Sequence, residues 1–330
     1  MTDPRRIRPT AVHLPKTRGK RTRLALALAA ALAAGACRNT TDTLRTLESV
    51  SLRDSVAADA TLWLDPSGRV WIGGPGRVTA FDSTGQALGG MKVPLSGTPQ
   101  ILWSRPGHAW LRTAGAAVVV DAAGRQTGLR RSGAPVAADP RGRWIYSATG
   151  TGSVLGLAPE SLGARWGWPD AGSAVSSLAV SPLGDRVYVA LAGSERNNVA
   201  PAIQVRDALS GRLLSTFPTS SGIKELQVGP DGTLYGVLGG SVVALRHGRD
   251  GLKQLWAREL GGLDRDDPNV LRVSPDGKRL AVVARGRELH LLATGDGKVL
   301  EESKRAPRDA AWDASGRLWV LGAREIRIVR

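Results

Sequence analysis

The sequence predicts an all-β protein, a seven-bladed β-propeller whose blades are four-stranded antiparallel sheets. Three observations lead to this fold class: a sequence motif that occurs seven times, its period of about 40 residues, and strand-forming residues at a fixed distance after each turn. Each copy has an apolar run, a turn that ends in glycine and a second apolar run, most clearly in residues 271–284, LRVSPDGKRLAVVA. A period of this length built only from strands and turns is typical of propeller blades.

The turn glycines set the period, because successive ones are 39, 35, 42, 48, 45 and 39 residues apart. They are Gly68, Gly107, Gly142, Gly184, Gly232, Gly277 and Gly316. Three residues after them stand Trp71, Trp110, Ile145, Val187, Tyr235, Leu280 and Trp319. All seven are β-branched, aromatic or large aliphatic, as a half-buried strand requires. Proline fixes φ at the first turn corner and glycine adopts a positive φ, so tetrads such as Ser274–Gly277 predict tight hairpins.

A second turn in most repeats separates a third strand from a fourth, so each blade is predicted to have strands a, b, c and d. In the sixth repeat we place them at 270–274, 279–284, 288–293 and 298–302. The seventh repeat reaches Arg330 after three strands, and we expect residues 47–52 to supply its outer strand. That pairing closes the ring without an open edge. Two stacked β-domains or a sandwich are the alternative, but seven evenly spaced units favour radial repetition.

Residues 1–36 are predicted to be an export signal and to lie outside the fold. Residues 1–23 carry eight basic side chains against one acid, and residues 24–36 are an uninterrupted run of Leu, Ala and one Gly. As a helix this run reaches about 20 Å, short of a hydrocarbon core of about 30 Å, so it is typical of a signal peptide and not of a permanent span. The run ends in Ala34-Gly35-Ala36, an A-x-A-like cleavage site, and Cys37 follows.

The stretch Ala33-Ala34-Gly35-Ala36-Cys37 resembles a bacterial lipoprotein signal, although Ala34 stands where that family usually has leucine. The resemblance implies a diacylglycerol on Cys37, the only cysteine of the chain, with residues 37–46 as the lipidated cysteine and its polar tether and residues 47–330 as the propeller. Plain secretion after cleavage at the same bond is the alternative. Arg38 after the cysteine implies sorting to the outer membrane, with the protein facing the periplasm or the cell surface. A single cysteine also excludes an internal disulfide.

Charge and composition exclude several function classes. Removing residues 1–36 lowers the net charge from +16 to +9, with 37 basic and 28 acidic residues left. The remaining arginines are scattered, no nucleic-acid motif is present, and we expect no nucleic-acid partner. The histidines outside the leader fall in three different repeats without metal-ligand spacing: His108, His247 and His290. The sequence has no catalytic motif and predicts no cofactor and no resident metal.

A binding site is predicted on one face of the ring. In a propeller the b-to-c and d-to-a connections emerge on one face, and the a-to-b and c-to-d turns emerge on the other. Extra residues accumulate in the first group, and long loops on a rigid scaffold usually carry binding groups. The candidate residues are Glu195, Arg196, Asn197, Asn198, Asp264, Arg265, Asp266 and Asp267. The acidic group at 264–267 could also hold a hard cation, but it lacks the alternation of a calcium loop and contains an arginine.

Two segments carry a family resemblance: residues 181–193, SPLGDRVYVALAG, followed by VRDALSGRLLSTF at 205–217, and residues 274–284, SPDGKRLAVVA. They resemble the YVTN-type and WD40-like seven-bladed propellers of bacterial envelopes. The likeness covers about residues 60–330 and implies a fold, since enzymes and pure binding proteins share these motifs. Trp166, Trp168 and Trp256 end predicted fourth strands, where we expect them to dock one blade onto the next.

Two functions remain open. The first is a monomeric, membrane-tethered, non-enzymatic propeller of the bacterial envelope that binds another envelope protein or a glycan. The second is a lactonase-like hydrolase or lyase with a metal-assisted site at the propeller centre, which would use residues such as Asp266, Asp267 and Asn198. The missing catalytic set favours the first, and a bound metal would be needed for the second.

Overall fold

The structure is a computed structural model that describes residues 44–52, 54–65, 69–82, 86–93, 97–105, 108–113, 116–121, 125–131, 135–169, 171–261, 263 and 269–329. The predicted signal peptide, Cys37 and most of the tether lie outside the described residues. The described residues contain 28 strands and no helix. The alternation and turn chemistry of the sequence therefore produce an all-β chain.

The strands follow one another in blades of four along the chain, apart from β1. In chain order they are β1 (Thr46–Ser51), β2 (Thr61–Leu64), β3 (Val70–Gly74), β4 (Arg77–Phe81), β5 (Ala87–Lys92), β6 (Gln100–Arg105), β7 (His108–Arg112), β8 (Ala116–Asp121), β9 (Gln126–Arg131), β10 (Val136–Ala138), β11 (Ile145–Ala148), β12 (Val154–Leu157), β13 (Ala164–Trp168), β14 (Val175–Val180), β15 (Arg186–Leu191), β16 (Ala202–Asp207), β17 (Leu213–Pro218), β18 (Leu226–Val228), β19 (Leu234–Leu238), β20 (Ser241–Gly248), β21 (Gly251–Glu259), β22 (Asn269–Val273), β23 (Arg279–Ala284), β24 (Glu288–Ala293), β25 (Val299–Ser303), β26 (Asp309–Trp312), β27 (Leu318–Leu321) and β28 (Glu325–Val329).

Seven four-stranded antiparallel sheets form the blades of a ring, which confirms the predicted seven-bladed propeller. Blades 1 to 6 each use four consecutive strands, from β2–β5 through to β22–β25. The strands of blade 6 lie within one residue of the predicted bounds. This accuracy reflects the turn that joins β22 to β23, where the Gly277 amide donates to the Ser274 carbonyl at 2.9 Å and Gly277 has a φ of 71°.

Blade 7 closes the ring with strands from both ends of the described chain. Its strand order is β26, β27, β28 and then β1, and β1 lies antiparallel to β28 with Val50 opposite Ile326. The amide of Leu52 extends this pairing by donating to the Arg324 carbonyl at 2.8 Å. The predicted closure by residues 47–52 is confirmed, with the strand shifted by one residue to 46–51.

The core lies in the gaps between blades. Seven clusters of buried apolar side chains occur among the described residues, one in each gap between neighbouring blades. Tyr188 of blade 4 packs with Leu234 of blade 5, for example, and Trp319 of blade 7 packs with Ile72 of blade 1. Each blade therefore needs a neighbour on both faces to bury its apolar residues.

Trp168 and Trp256 dock their blades onto turns of the next blade, as the sequence predicts, whereas Trp166 lies against Gly156 and Trp144 of its own blade. Trp168 of blade 3 covers Gly211 in the turn between β16 and β17, and a Cβ at Gly211 would overlap its indole ring. Trp256 of blade 5 lies on Gly297 of blade 6 in the same way, and its Nε1 donates to the Thr294 carbonyl at 2.8 Å. Both glycines have a positive φ of 68°. Only glycine both adopts a positive φ without strain and lacks the Cβ that would overlap the indole ring.

We expect Gly211→Ala to lower the free energy of unfolding by about 3 kcal/mol, because it combines backbone strain with displacement of the Trp168 ring. Gly232→Ala is the matched control, since Gly232 also has a positive φ, of 81°, but a Cβ there meets no atom within 4 Å. Its cost should be about 1 kcal/mol, from strain alone. Urea unfolding of both variants measures the difference, and equal losses would contradict the docking role of Trp168.

Candidate functional site

The ring has two chemically different faces. We call the side with the b-to-c and d-to-a connections the loop face, and the side with the a-to-b and c-to-d turns the turn face. Glu195, Arg196, Asn197 and Asn198 lie in the connection between β15 and β16 of blade 4, and therefore on the loop face, where all four are exposed. The other candidates, Asp264, Arg265, Asp266 and Asp267, lie outside the described residues.

The 195–198 segment is a tight hairpin loop. Ser194 and Val199 form an antiparallel bridge at its base, and Asn198 has a φ of 52°. The Asn197 side-chain amide donates to the Gly172 carbonyl at 2.7 Å and so ties this loop to the connection between blades 3 and 4. The asparagines therefore shape the loop, whereas the exposed charges of Glu195 and Arg196 face solvent.

A cavity of about 460 Å³ occupies the centre of the ring, where the inner strands of six blades line it. At the turn face its wall is made by prolines of three a-to-b turns, Pro140, Pro182 and Pro230. At the loop face the wall is polar and includes Gln100 and Glu225. The channel thus has an apolar end and a charged mouth, and the mouth opens on the same face as the long connections.

One repeated position, seven residues before the turn glycine of each repeat, contributes Gln100, Ser177 and Glu225 to the wall of the mouth. That position is polar in five of the seven repeats: Thr61, Gln100, Ser177, Glu225 and Asp309. In two of them the side chain joins its blade to the next through the same bond. The Ser177 hydroxyl accepts from the Leu226 amide at 3.1 Å, and an Asp309 carboxylate oxygen accepts from the Leu62 amide at 2.9 Å. Short acceptors at this position therefore hold neighbouring blades together.

Glu225 occupies the same position in blade 5 but makes no such bond. Among the residues that the structure describes, its carboxylate has no hydrogen-bond partner and no ion pair within 4.0 Å, and the side chain is half-buried in the wall of the channel. Its electrostatic neighbours are Arg272, Arg112 and Arg285, with Asp309 as the opposing charge. Burial raises the pKa of Glu225, and the three arginines oppose this shift only in part.

Two arginines project into the mouth beside Glu225. The Arg112 guanidinium, at the end of β7, donates to the Gln100 side-chain oxygen at 2.6 Å. The Arg272 guanidinium donates to the Leu271 carbonyl at 2.9 Å and lies 3.4 Å from the buried Asp309 carboxylate. Burial is the main cause that lowers the pKa of Arg112. The Glu225 carboxylate opposes this shift, and the charges of Arg272 and Arg285 add to it. The arginine charges are thus crowded in a site of reduced solvation.

This set of side chains suits an anion better than a cation. The mouth brings the guanidinium groups of Arg112 and Arg272 together with the Glu225 carboxylate, and Arg285, which donates to the Asp59 carbonyl at 2.9 Å, and Asp309 act on that carboxylate from nearby. In the described part of the chain no group of three or more His, Cys, Asp or Glu side chains could hold a metal ion. Arginines repel metal ions and bind carboxylates and phosphates. The described residues also include no helix that is long and apolar enough to cross a membrane.

Sequence reasoning missed the charged mouth. Gln100, Arg112, Glu225 and Arg272 come from blades 2, 5 and 6 and share no motif. The register of the repeat could have found Gln100 and Glu225, because the residue seven positions before the turn glycine lines the channel in three repeats, but it gives no signal for Arg112 or Arg272. Glu225 differs from Thr61, Gln100 and Ser177 at the same position because it carries a charge.

Comparisons with known proteins support the fold. No protein-family model matches the chain, and no curated protein matches it in sequence. Among solved structures, the β-propeller domain of Cps50 (Swd1) from Myceliophteria thermophila superposes with a TM-score of 0.70 at 15% identity, covering 87% of this chain and 99% of that domain. Hydrazine synthase from Kuenenia stuttgartiensis superposes with a TM-score of 0.66 at 14% identity, covering 86% of this chain and 97% of that chain. At these identities the likeness shows the propeller fold alone.

We expect Glu225→Gln to stabilise the protein at neutral pH. Because burial raises the folded-state pKa of Glu225, the wild type loses stability as the pH rises from the ordinary glutamate pKa through the folded one, whereas glutamine stays neutral. The variant should exceed the wild type by about 1 kcal/mol in free energy of unfolding near neutrality, and the gap should close toward about pH 4. Urea unfolding across this range measures it, with Glu195→Gln, at an exposed site, as the control. A gap that widens on acidification would refute the expected protonation behaviour.

Proposed function

We propose that the protein is a non-enzymatic binding module of the bacterial cell envelope. In this proposal the loop face binds another envelope protein or a glycan, and a lipid on Cys37 tethers the propeller to the membrane, in the manner of YVTN-type or WD40-like envelope propellers. β-Propellers commonly serve as rigid scaffolds for binding. The single observation that carries the proposal is the coincidence, on one face, of the long connections and the charged mouth of the channel.

The tether rests on the sequence of the leader. A basic segment, a 13-residue apolar run and small residues directly before Cys37 are features of lipoprotein signals, although Ala34 stands where leucine is usual. Residues 37–46 would then form the link to the propeller, whose first described strand begins at Thr46. The protein would be an outer-membrane lipoprotein that acts as a monomer.

The lactonase-like alternative gains no support from the described residues. A metal-assisted site at the propeller centre needs carboxylates or imidazoles around the metal, and the described channel offers Glu225 among arginines. Of the residues that this alternative would use, Asn198 is exposed on the hairpin loop, and Asp266 and Asp267 lie outside the described residues. Binding without chemistry is therefore the function that the geometry favours.

Site-specific cross-linking tests which face binds the partner. A photoreactive residue replaces Arg196 on the loop face or Leu209, an exposed turn-face residue of the same blade, in the full chain expressed in native envelopes. We expect a discrete cross-linked product from position 196 and none from position 209, because only the loop face carries the partner surface. Products from position 209 alone would overturn the proposal.

Lipidation is tested separately. We expect metabolic labelling with a radioactive fatty acid to mark the wild type and not Cys37→Ser, because the thiol accepts the diacylglycerol. The variant should also leave the membrane fraction while keeping its thermal unfolding midpoint. A Cys37→Ser protein that stays bound to the membrane as firmly as the wild type would contradict the tether.

A further inference from the structure

We propose that the mouth of the central channel is a binding site for a small organic carboxylate, held between Arg112 and Arg272 with its apolar body directed down the channel. The site is additional to the partner surface proposed above and does not depend on it. The chemistry of the described channel wall carries the inference: arginines at one end and apolar walls along the rest.

The charges at the mouth are unbalanced in favour of an anion. Arg112 and Arg272 line the mouth and Arg285 acts on it from nearby, so three positive charges face the two carboxylates of Glu225 and Asp309. Burial and the neighbouring arginines act to lower the pKa of Arg112, although a guanidinium stays charged in proteins. A bound monoanion would relieve the repulsion between these guanidinium groups. It would be favoured over a neutral or cationic ligand for that reason.

The guanidinium groups retain donors for such a ligand. A guanidinium has five N–H donors in a planar fork that matches a carboxylate in a bidentate manner. Arg112 uses one of them on Gln100, and Arg272 uses its donors on Leu271 and, at 3.4 Å, on Asp309. These contacts orient both groups while leaving N–H donors unused by the described residues. The anion site is therefore largely formed before the ligand arrives.

The walls below the mouth suit an apolar body. Trp63, Leu102 and Leu178 line the channel between the mouth and the turn face, and Pro140 and Pro182 close its lower wall. The cavity of about 460 Å³ falls within the range of small-molecule pockets, which runs from roughly 300 to 1,000 Å³. A ligand with one anionic end and one apolar end would place each end against matching groups.

Glu225 makes binding depend on pH. Its carboxylate stands beside the proposed anion position and would repel it when ionised, but a protonated Glu225 can donate a hydrogen bond to the ligand. The charged groups that act on it are Arg272, Arg112, Arg285 and Asp309. The carboxylate ligand should therefore bind with uptake of a proton at Glu225, and its affinity should rise as the pH falls.

The test uses four probes with the same apolar body and different heads: 4-phenylbutyrate, 4-phenylbutanol, 4-phenylbutylamine and 4-phenylbutanesulfonate. Isothermal titration of the purified full-length protein should show binding of the butyrate, with the alcohol weaker by at least about tenfold and the amine weaker still. Titration with 4-phenylbutanesulfonate, whose charge does not change with pH, isolates the protonation of Glu225. Its affinity should increase about tenfold between about pH 8 and pH 6.

Five variants locate the site. Arg112→Gln and Arg272→Gln should each weaken butyrate binding by about tenfold or more, and Arg112→Lys should give an intermediate loss because lysine keeps the charge without the fork. Arg141→Gln, the same change at an exposed turn-face arginine, should leave binding unchanged. Thermal unfolding of each variant shows that the ring is intact. Glu225→Gln should bind at least as tightly as the wild type and lose the pH dependence.

Several outcomes would overturn the inference. If butyrate does not bind, or binds Arg112→Gln and Arg272→Gln as well as the wild type, the arginines do not form an anion site. If alcohol and butyrate bind equally, the channel is an apolar pocket only, and if the amine binds best and is lost in Glu225→Gln, the mouth is a cation site. Any of these results alongside a persistent cross-link from position 196 would remove the channel site and leave the proposed partner surface standing.

Discussion

The hydrogen-bonded pairing of β1 with β28 is the constraint on which the rest of the structure depends. The apolar residues of the blades are buried in the seven gaps between them, and the gap between blades 7 and 1 exists only in the closed ring, so these two blades cannot bury both faces until the ring is complete. The pairing puts Val50 opposite Ile326 and completes blade 7, whose Trp319 then packs against blade 1. Stability is shared by all gaps at once, as in other repeat proteins, but a closed ring has no end repeat that could fray.

Neighbouring blades are joined differently at the two faces. Near the loop face, Ser177 and Asp309 accept backbone amides of the following blade. Near the turn face, the rings of Trp168 and Trp256 cover glycines of the following blade. These joints hold the inner strands in fixed positions, so the channel that they line has a defined shape. Glu225 stands at the joint position and forms no described bond there, which leaves a charged group available in an otherwise rigid wall.

The sequence predicted the fold well because the residues of each turn determine where the flanking strands end and begin. The Ser274–Gly277 tetrad fixes where β22 ends and β23 begins, and the same logic places the other blades. The channel mouth was not predicted, because Arg112 and Glu225 lie three blades apart and meet only after the ring has closed. Loop length instead predicted a binding site that included residues 195–198, where the Asn197 side chain holds the loop in place. Local patterns determine strands, whereas the mouth depends on contacts distant in the chain.

Ring closure also fixes the order in which the protein can be completed as the chain is synthesised. Ser49 and Glu325 are hydrogen-bonded at 3.3 Å although 276 residues separate them. Because synthesis starts at the amino end, β1 appears early, whereas its partner β28 is the last of the described strands to appear. Until then, β1 is an unpaired strand with one exposed leucine, Leu47, and mainly polar neighbours, a composition that limits pairing with other chains. The polar outer strand thus keeps the growing chain soluble during the interval that so distant a contact imposes.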